Sequence, residues 1–308
     1  MKPSLKVNIG KISLPNPVMV ASGTFGYGLE AEGIIDIKKI GAIITKGISL
    51  KPRKGNPPPR IIEVYGGILN SIGLQNIGVE AFVKEKLPEL KKAGVRVVVN
   101  IFGDTVDEYR ELARILDKEE GITALEVNIS CPNRKEWGKI FAHDPKLTGE
   151  VVNAVRGATS LPVIVKLSPN VTDIGEIALS AESNGADAIS AINTVIGMVI
   201  DIEQKRPILK NITGGFSGPA IKPIAMRCVW EVIKRVKIPV IGIGGIMNAR
   251  DALEFLMIGA RAIQVGTATF VNPDSAIGII RGIQDYLSEK KISTVEEIIG
   301  VINLGNNT

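Results

Sequence analysis

Short apolar runs recur along the chain, and each ends abruptly in polar or glycine residues. They fall at Pro17 to Ala21, Ala42 to Thr45, Arg96 to Ile101, Ala124 to Ile129, Pro162 to Leu167, Ala188 to Asn193, Pro239 to Ile243 and Ala262 to Val265. Runs of this length, rich in Val and Ile, are what strands buried on both faces require. Between them lie longer stretches with helical periodicity: Glu80 to Ala93, Asp107 to Lys118, Lys146 to Ala158, Ile174 to Asn184, Ile221 to Val236, Ala249 to Ile258 and Asp274 to Glu289. Strand and helix alternating throughout predict a parallel sheet, and eight units predict its closure into a (β/α)8 TIM barrel. Ahead of the first unit, Leu5 to Ile9 and Lys11 to Leu14 alternate about Gly10, which predicts an N-terminal β-hairpin covering the barrel floor. Gly41, Gly94, Gly185 and Gly259 stand just before strands, where glycine C-caps of helices are expected.

Three connections at the carboxyl ends of the strands are longer than such loops usually run. They are Gly47 to Ile77, Cys131 to Asp144 and Val195 to Gly218. Long loops on that face of a barrel are usually lids or substrate walls, so none reads as a domain boundary. Gly23-Thr24-Phe25-Gly26-Tyr27-Gly28 lacks the spacing of a nucleotide fingerprint and is expected to be a flexible first loop.

Composition narrows the class. The chain has 308 residues, 45% of them hydrophobic, enough for one barrel of about 250 residues with insertions. A single domain spanning residues 1–308 is therefore expected. No run of about 18 apolar residues occurs and the N-terminus has no apolar core behind its charges, so a soluble cytoplasmic protein is expected, with no membrane contact. Cys131 and Cys228 are the only cysteines, far apart and outside any CxxC pattern. No disulfide framework, zinc site or iron-sulfur site is encoded, and any metal cluster must belong to a partner. The 37 basic and 32 acidic residues give a net charge of +5, with the basic ones dispersed and aromatics at only 4%. That argues against nucleic acid, while a mild positive balance would help an anionic ligand find its cleft.

Polar groups stand at all eight strand ends: Ser22, Lys46, Asn100, Asn128 with Cys131, Lys166, Asn193 with Thr194, Gly244 with Gly245, and Gly266 with Thr267. Lys46 and Lys166 directly follow apolar runs, so their ammonium groups are expected in the barrel mouth, where a buried lysine needs an anion or another partner. The asparagines suit a flat heterocycle with alternating donors and acceptors. The glycine turns of the last two strands let backbone N–H groups approach phosphate oxygens, at the place where phosphate sites recur in this fold. Cys131, between the amide side chains of Asn128 and Asn133 at the end of its strand, could serve as base, nucleophile or ligand, or simply as a small buried hydrophobe. His143, the sole histidine, is expected in a surface or capping role, and Cys228 in the core. No metal-binding constellation appears.

From about Leu5 to Leu287 the chain resembles the dihydroorotate dehydrogenases. The resemblance rests on Thr45-Lys46-Gly47, Asn70-Ser71-Ile72-Gly73-Leu74-Gln75-Asn76, Asn128-Ile129-Ser130-Cys131-Pro132-Asn133, Val165-Lys166-Leu167-Ser168-Pro169-Asn170, Ala191-Ile192-Asn193-Thr194, Gly214-Gly215-Phe216-Ser217-Gly218 and the two glycine turns. It implies oxidation of dihydroorotate to orotate in pyrimidine biosynthesis, with FMN across the barrel mouth. By that resemblance Ser22, Lys46, Gly47, Asn100, Asn128, Lys166, Ile192, Gly218, Gly244, Gly245, Gly266 and Thr267 would contact the flavin. Lys46, Asn70, Ser71, Ile72, Gly73, Leu74, Asn128, Asn193 and Thr194 would hold the pyrimidine, with Asn133 a further candidate, and Cys131 would be the catalytic base. A cysteine there and the lack of an N-terminal membrane segment point to the soluble branch.

Within that branch the pattern looks most like the NAD-linked type. The resemblance then implies a homodimer associated with a separate electron-transfer subunit, carrying FAD and an iron-sulfur cluster, in a heterotetramer. Three other readings stand beside it. A fumarate-linked dihydroorotate dehydrogenase would use almost the same site, dihydropyrimidine dehydrogenase shares barrel, flavin and cysteine, and a non-redox phosphate-binding barrel could use Lys166 as a Schiff base in isomerase or aldolase chemistry.

Overall fold

A computed structural model describes residues 2–130, 141–303 and 305. Its centre is a closed barrel of eight parallel strands, Val18–Val20, Ala42–Ile44, Val97–Ile101, Ile122–Asn128, Val163–Leu167, Ala188–Ala191, Val240–Ile243 and Ala262–Val265, adjacent in chain order with the eighth closing on the first. We number these barrel strands one to eight. The (β/α)8 architecture predicted from the apolar runs is the one observed. Nearly every strand residue is buried, because one face packs on the outer helices and the other fills the interior. A single cluster of buried Val, Ile, Leu and Phe side chains joins strands and helices.

Local chemistry sets the helix boundaries. Thr105, Asp144, Asp173 and Asn248 each accept backbone N–H bonds as N-caps, satisfying donors that have no partner within the first turn. Gly94, Gly185 and Gly259 follow helices with positive φ, as their positions predict. Gly41 departs from that expectation. Its φ is not positive, and a Cβ there would lie 2.5 Å from the Asn16 carbonyl oxygen, so glycine is required for close approach. The helical stretch over residues 79–93 is interrupted by a π-helical turn at Phe82–Lys86. The hairpin of Val7–Ile9 and Ile12–Leu14 alternates buried and exposed residues as predicted, and its turn at Gly10 approaches the Asp187 carbonyl near the start of strand six.

Two of the long loops are not irregular. Ile61–Val64 and Gly67–Asn70 from the loop after strand two join Val195–Met198 and Thr213–Ser217 from the loop after strand six in a four-stranded antiparallel sheet. The first loop is not the flexible segment its glycines suggested. Phe25 and Tyr27 are buried in the core, the Lys46 N–H donates to the Gly26 carbonyl (2.7 Å), and the Ile77 N–H donates to Tyr27 Oη (3.2 Å).

Candidate active site

The strand ends surround a cavity of about 480 Å³. Ser22, Lys46, Gly47, Asn100, Asn128, Lys166, Ile192, Gly218, Gly244, Gly245, Gly266 and Thr267 line it, as do Asn70 to Leu74, Asn193 and Thr194. These are all the predicted contact residues that fall among the described ones. Cys131 and Asn133 lie outside the described residues. Ser130, the last residue before them, lines the cavity and donates from Oγ to the Lys166 carbonyl (3.1 Å).

Strands three to six contribute side chains. Register sets Asn100 beside Glu126, Asn128 beside Lys166, and Lys166 beside Ser190. Side chains alternate along a strand, so Glu126 and Asn128 share the inner face. Glu126 is fully buried, accepts three hydrogen bonds and forms one ion pair. Asn100 Nδ2 (2.6 Å), Ser190 Oγ (2.9 Å) and Gln264 Nε2 (2.6 Å) donate hydrogen bonds, and Lys166 Nζ lies 3.6 Å away. Lys166 also donates to Ser22 Oγ (3.3 Å). The partner that a buried lysine in the mouth requires is therefore a carboxylate from the neighbouring strand. Sequence reasoning assigned Glu126 no role; its signal was a lone carboxylate inside an apolar strand, two residues before Asn128.

Lys46 is half-buried at the opposite wall. Its ammonium loses solvation on burial and faces the charge of Arg60, and despite the opposing field of Glu30 it deprotonates below the ordinary lysine range. Arg60, which also lines the cavity and donates to Gln75 Oε1 (2.7 Å), was not anticipated, since nothing marks it within its long loop. Asn170 donates to the Thr194 carbonyl (3.0 Å) and accepts from the Ile196 N–H (3.0 Å), tying strand five to the loop after strand six. His143 is exposed and lines the cavity, while the helix cap beside it is supplied by Asp144. Cys228 is in the core, where burial pushes its thiol pKa up.

Strands seven and eight contribute backbone. Among the described residues, the N–H groups of Gly244, Gly245, Gly266 and Thr267 donate to no protein acceptor. Gly245 has φ +71°, and a Cβ there would stand 2.6 Å from the Lys222 nitrogen. Its first requirement is thus intramolecular: it lets the turn pack on the amino end of the helix Lys222–Arg235, whose dipole favours negative charge nearby. Gly266 is different, because a Cβ there would meet only Ala21 Cβ at 3.7 Å. Three buried polar atoms of the wall, Asn100 Oδ1, Ser71 Oγ and Thr24 Oγ1, also have no partner among the described residues. Buried polar groups are normally hydrogen-bonded, so these mark positions for a ligand. The donor set fits a flavin phosphate: free N–H groups on one side suit the phosphate, and amides and an ammonium on the other suit a heterocycle with both donors and acceptors.

Fold and cavity together define a (β/α)8 barrel that binds its ligand at the carboxyl ends of the strands, with an ion pair buried beneath. The chain belongs to the dihydroorotate dehydrogenase family, whose model matches residues 4–287. It is 57% identical over 302 residues to the dihydroorotate dehydrogenase B (NAD(+)) catalytic subunit of Trichlorobacter lovleyi, covering 98% of this chain and 99% of the relative. It is 56% identical over 303 residues, with the same coverage, to the proteins of that name from Geotalea daltonii and Geobacter sulfurreducens.

Proposed function

We propose that the chain, acting as one barrel domain, oxidises dihydroorotate to orotate in pyrimidine biosynthesis with FMN bound across the barrel mouth. The observation that carries this reading is the division of one cavity into free backbone N–H groups on strands seven and eight and amide and ammonium side chains on strands three to six. Family membership supplies the substrate. The N–H groups of Gly244, Gly245, Gly266 and Thr267 hold the phosphate, and Asn100 offers its unpaired Oδ1 to a ring N–H. When bound, a flavin there would supply the acceptor for the hydride that leaves carbon 6 of dihydroorotate.

The chain's own residues do the rest. Lys46 neutralises the substrate carboxylate, and Asn70, Asn128, Asn193 and Thr194 fix the pyrimidine ring through complementary amide and hydroxyl contacts. Cys131 takes the proton from carbon 5 as its thiolate, favoured by the cations of the mouth. Lys166, at the cavity wall, would offer its ammonium to negative charge on a bound flavin. The residues after strands two and six exclude water over the ring.

A separate subunit carrying FAD and an iron-sulfur cluster, around a homodimer of this chain in the cytoplasm, would supply the route for electrons to NAD. The relatives are named catalytic subunits of an NAD-linked enzyme, and among the described residues no helix is long and apolar enough to cross a membrane. The test is anaerobic stopped-flow mixing of the purified protein with dihydroorotate. The protein should purify with stoichiometric FMN and lose the oxidised-flavin absorbance on mixing. A colourless protein, or a flavin that dihydroorotate leaves oxidised, overturns the reading. Co-purification of an iron-sulfur flavoprotein from the native host tests the partner.

A further inference from the structure

The interior of the barrel holds a polar cluster that the proposed chemistry does not use directly. Glu126 has no exposed surface and does not line the cavity, yet side chains from four other strands converge on it. Removing a carboxylate from water is costly, and an apolar residue of similar volume would normally fill such a position at least as stably. A structural role alone is a weak reason for placing a carboxylate there. What it touches on the cavity side is specific: Lys166 and Asn100 line the cavity, and both bind the same oxygen, Glu126 Oε1.

We propose that Glu126 is a positioning residue for the redox site, holding Lys166 as an ammonium at the cavity wall and turning the Asn100 amide so that its carbonyl oxygen faces the ligand. The inference rests on the reading of the cavity as a flavin site. A carboxylate only accepts, so Asn100 must present Nδ2 to it, which leaves Oδ1 as the free acceptor observed. The groups facing the pair from the neighbouring strands, Ser22, Asn100, Ser190 and Gln264, are all neutral, and the other cationic or titratable side chains that line the cavity among the described residues are Lys46, Arg60 and His143, none of them an anion. Among the described residues, nothing else within hydrogen-bond reach offsets the charge of Lys166. Without the carboxylate, an ammonium 5% exposed gives up its proton rather than remain buried and unpaired.

Glu126→Gln keeps the volume of the side chain. Among the described residues Gln264 Oε1 has no partner, so a flip of that amide can receive the new NH₂ group, and the Ser190 hydroxyl can accept in place of donating. Glu126→Asp keeps the charge and serves as the rescue. Two readouts separate positioning from mere packing. The first is the flavin midpoint potential of the FMN-loaded protein in a double-mutant cycle with Lys166→Met. Lys166→Met alone should shift the potential to more negative values, Glu126→Gln should shift it the same way, and Lys166→Met added to Glu126→Gln should shift it no further. Glu126→Asp should stay near wild type.

The second readout is the ¹³Cε resonance of Lys166 at neutral pH in lysine-labelled protein, assigned by its loss in Lys166→Met. It should move to the position of a neutral amine in Glu126→Gln and not in Glu126→Asp. If that resonance stays at the ammonium position in Glu126→Gln, or if Lys166→Met shifts the potential equally in both backgrounds, Glu126 does not act through Lys166 and the proposal is overturned. A potential that Lys166→Met leaves unchanged in the otherwise wild-type protein removes Lys166 from the flavin, and the route from Glu126 with it. That pattern is distinct, because the lysine resonance would still respond to Glu126.

Discussion

The two sides of the barrel mouth are built in different materials. Strands three to six present Asn100, Asn128, Lys166 and the adjacent Asn193, whose functional groups sit at the ends of side chains. Strands seven and eight present peptide N–H groups at Gly244, Gly245, Gly266 and Thr267. A side chain can be exchanged while the backbone stays in place, so the first side can be stripped of its chemistry without being dismantled. The second side can be altered only by changing the path of the chain, so there binding and stability are lost together. Chemistry that must be tuned belongs on the first side, and the second suits the proposed flavin phosphate, the same in every turnover.

The largest effect expected on this division comes from Cys131→Ala. Reduction of the flavin by dihydroorotate should slow by about 10²- to 10⁴-fold, the usual range for loss of a general base, while orotate binding persists. Stopped-flow reduction across pH, beside an orotate titration, checks both; reduction at the wild-type rate would place the base elsewhere. Lys166→Met comes next, with reduction slowed by about 10²- to 10³-fold, as for other electrostatic partners. Its cost in stability should stay below the roughly 3–5 kcal/mol of a broken buried pair, because Glu126 keeps three neutral donors. Chemical denaturation of the variant measures that cost.

Two glycine variants separate path from contact on the other side. Gly245→Val forces a branched side chain into a left-handed backbone and against Lys222. It should lose about 1–3 kcal/mol or more of stability and release its flavin, and retention of stoichiometric flavin would detach this turn from the phosphate. Gly266→Ala meets no such obstacle and should stay within about 0.5 kcal/mol of wild type; a larger drop in melting temperature would show that this turn, too, is held by packing.

The smallest effect concerns Lys46. In the folded chain its proton leaves below the ordinary lysine value of 10.5, through burial and the charge of Arg60. Between those two values the unfolded chain binds more protons, so stability of the ligand-free protein should rise with pH across that window. The gain should be under about 1 kcal/mol for a partly exposed group. Orotate affinity should fall over the same window, and Lys46→Met should remove both dependences from melting and binding curves.

The barrel and most of its mouth were legible because an apolar run that stops at a polar residue fixes where a buried strand ends. Lys166 could be aimed into the mouth on that ground alone. Its partner could not be named, since Glu126 acquires its role only when Ser190 and Gln264 arrive from strands far away in the chain. The four-stranded sheet over the mouth escaped for a related reason: Thr213-Gly214-Gly215-Phe216-Ser217 has too little alternation to read as a strand, and its neighbour Gly67–Asn70 lies in a different long loop. Arg60 gave no signal for want of any pattern around it.

That sheet has a consequence for how the sequence can diverge. Asn70 is paired with Gly215 through both register and its side-chain amide, which donates to the Gly215 carbonyl (3.2 Å), so the two loops share one frame although they are far apart in the chain. A single-residue insertion in either would turn every following side chain of that strand to the opposite face and carry Asn70 away from the ring it is proposed to hold. Length changes in the two segments should therefore be inherited jointly or not at all, whereas Tyr65, fully exposed in the turn between Ile61–Val64 and Gly67–Asn70, is free to vary in sequence while Gly66 beside it, at φ +81° and against Ala220, is not.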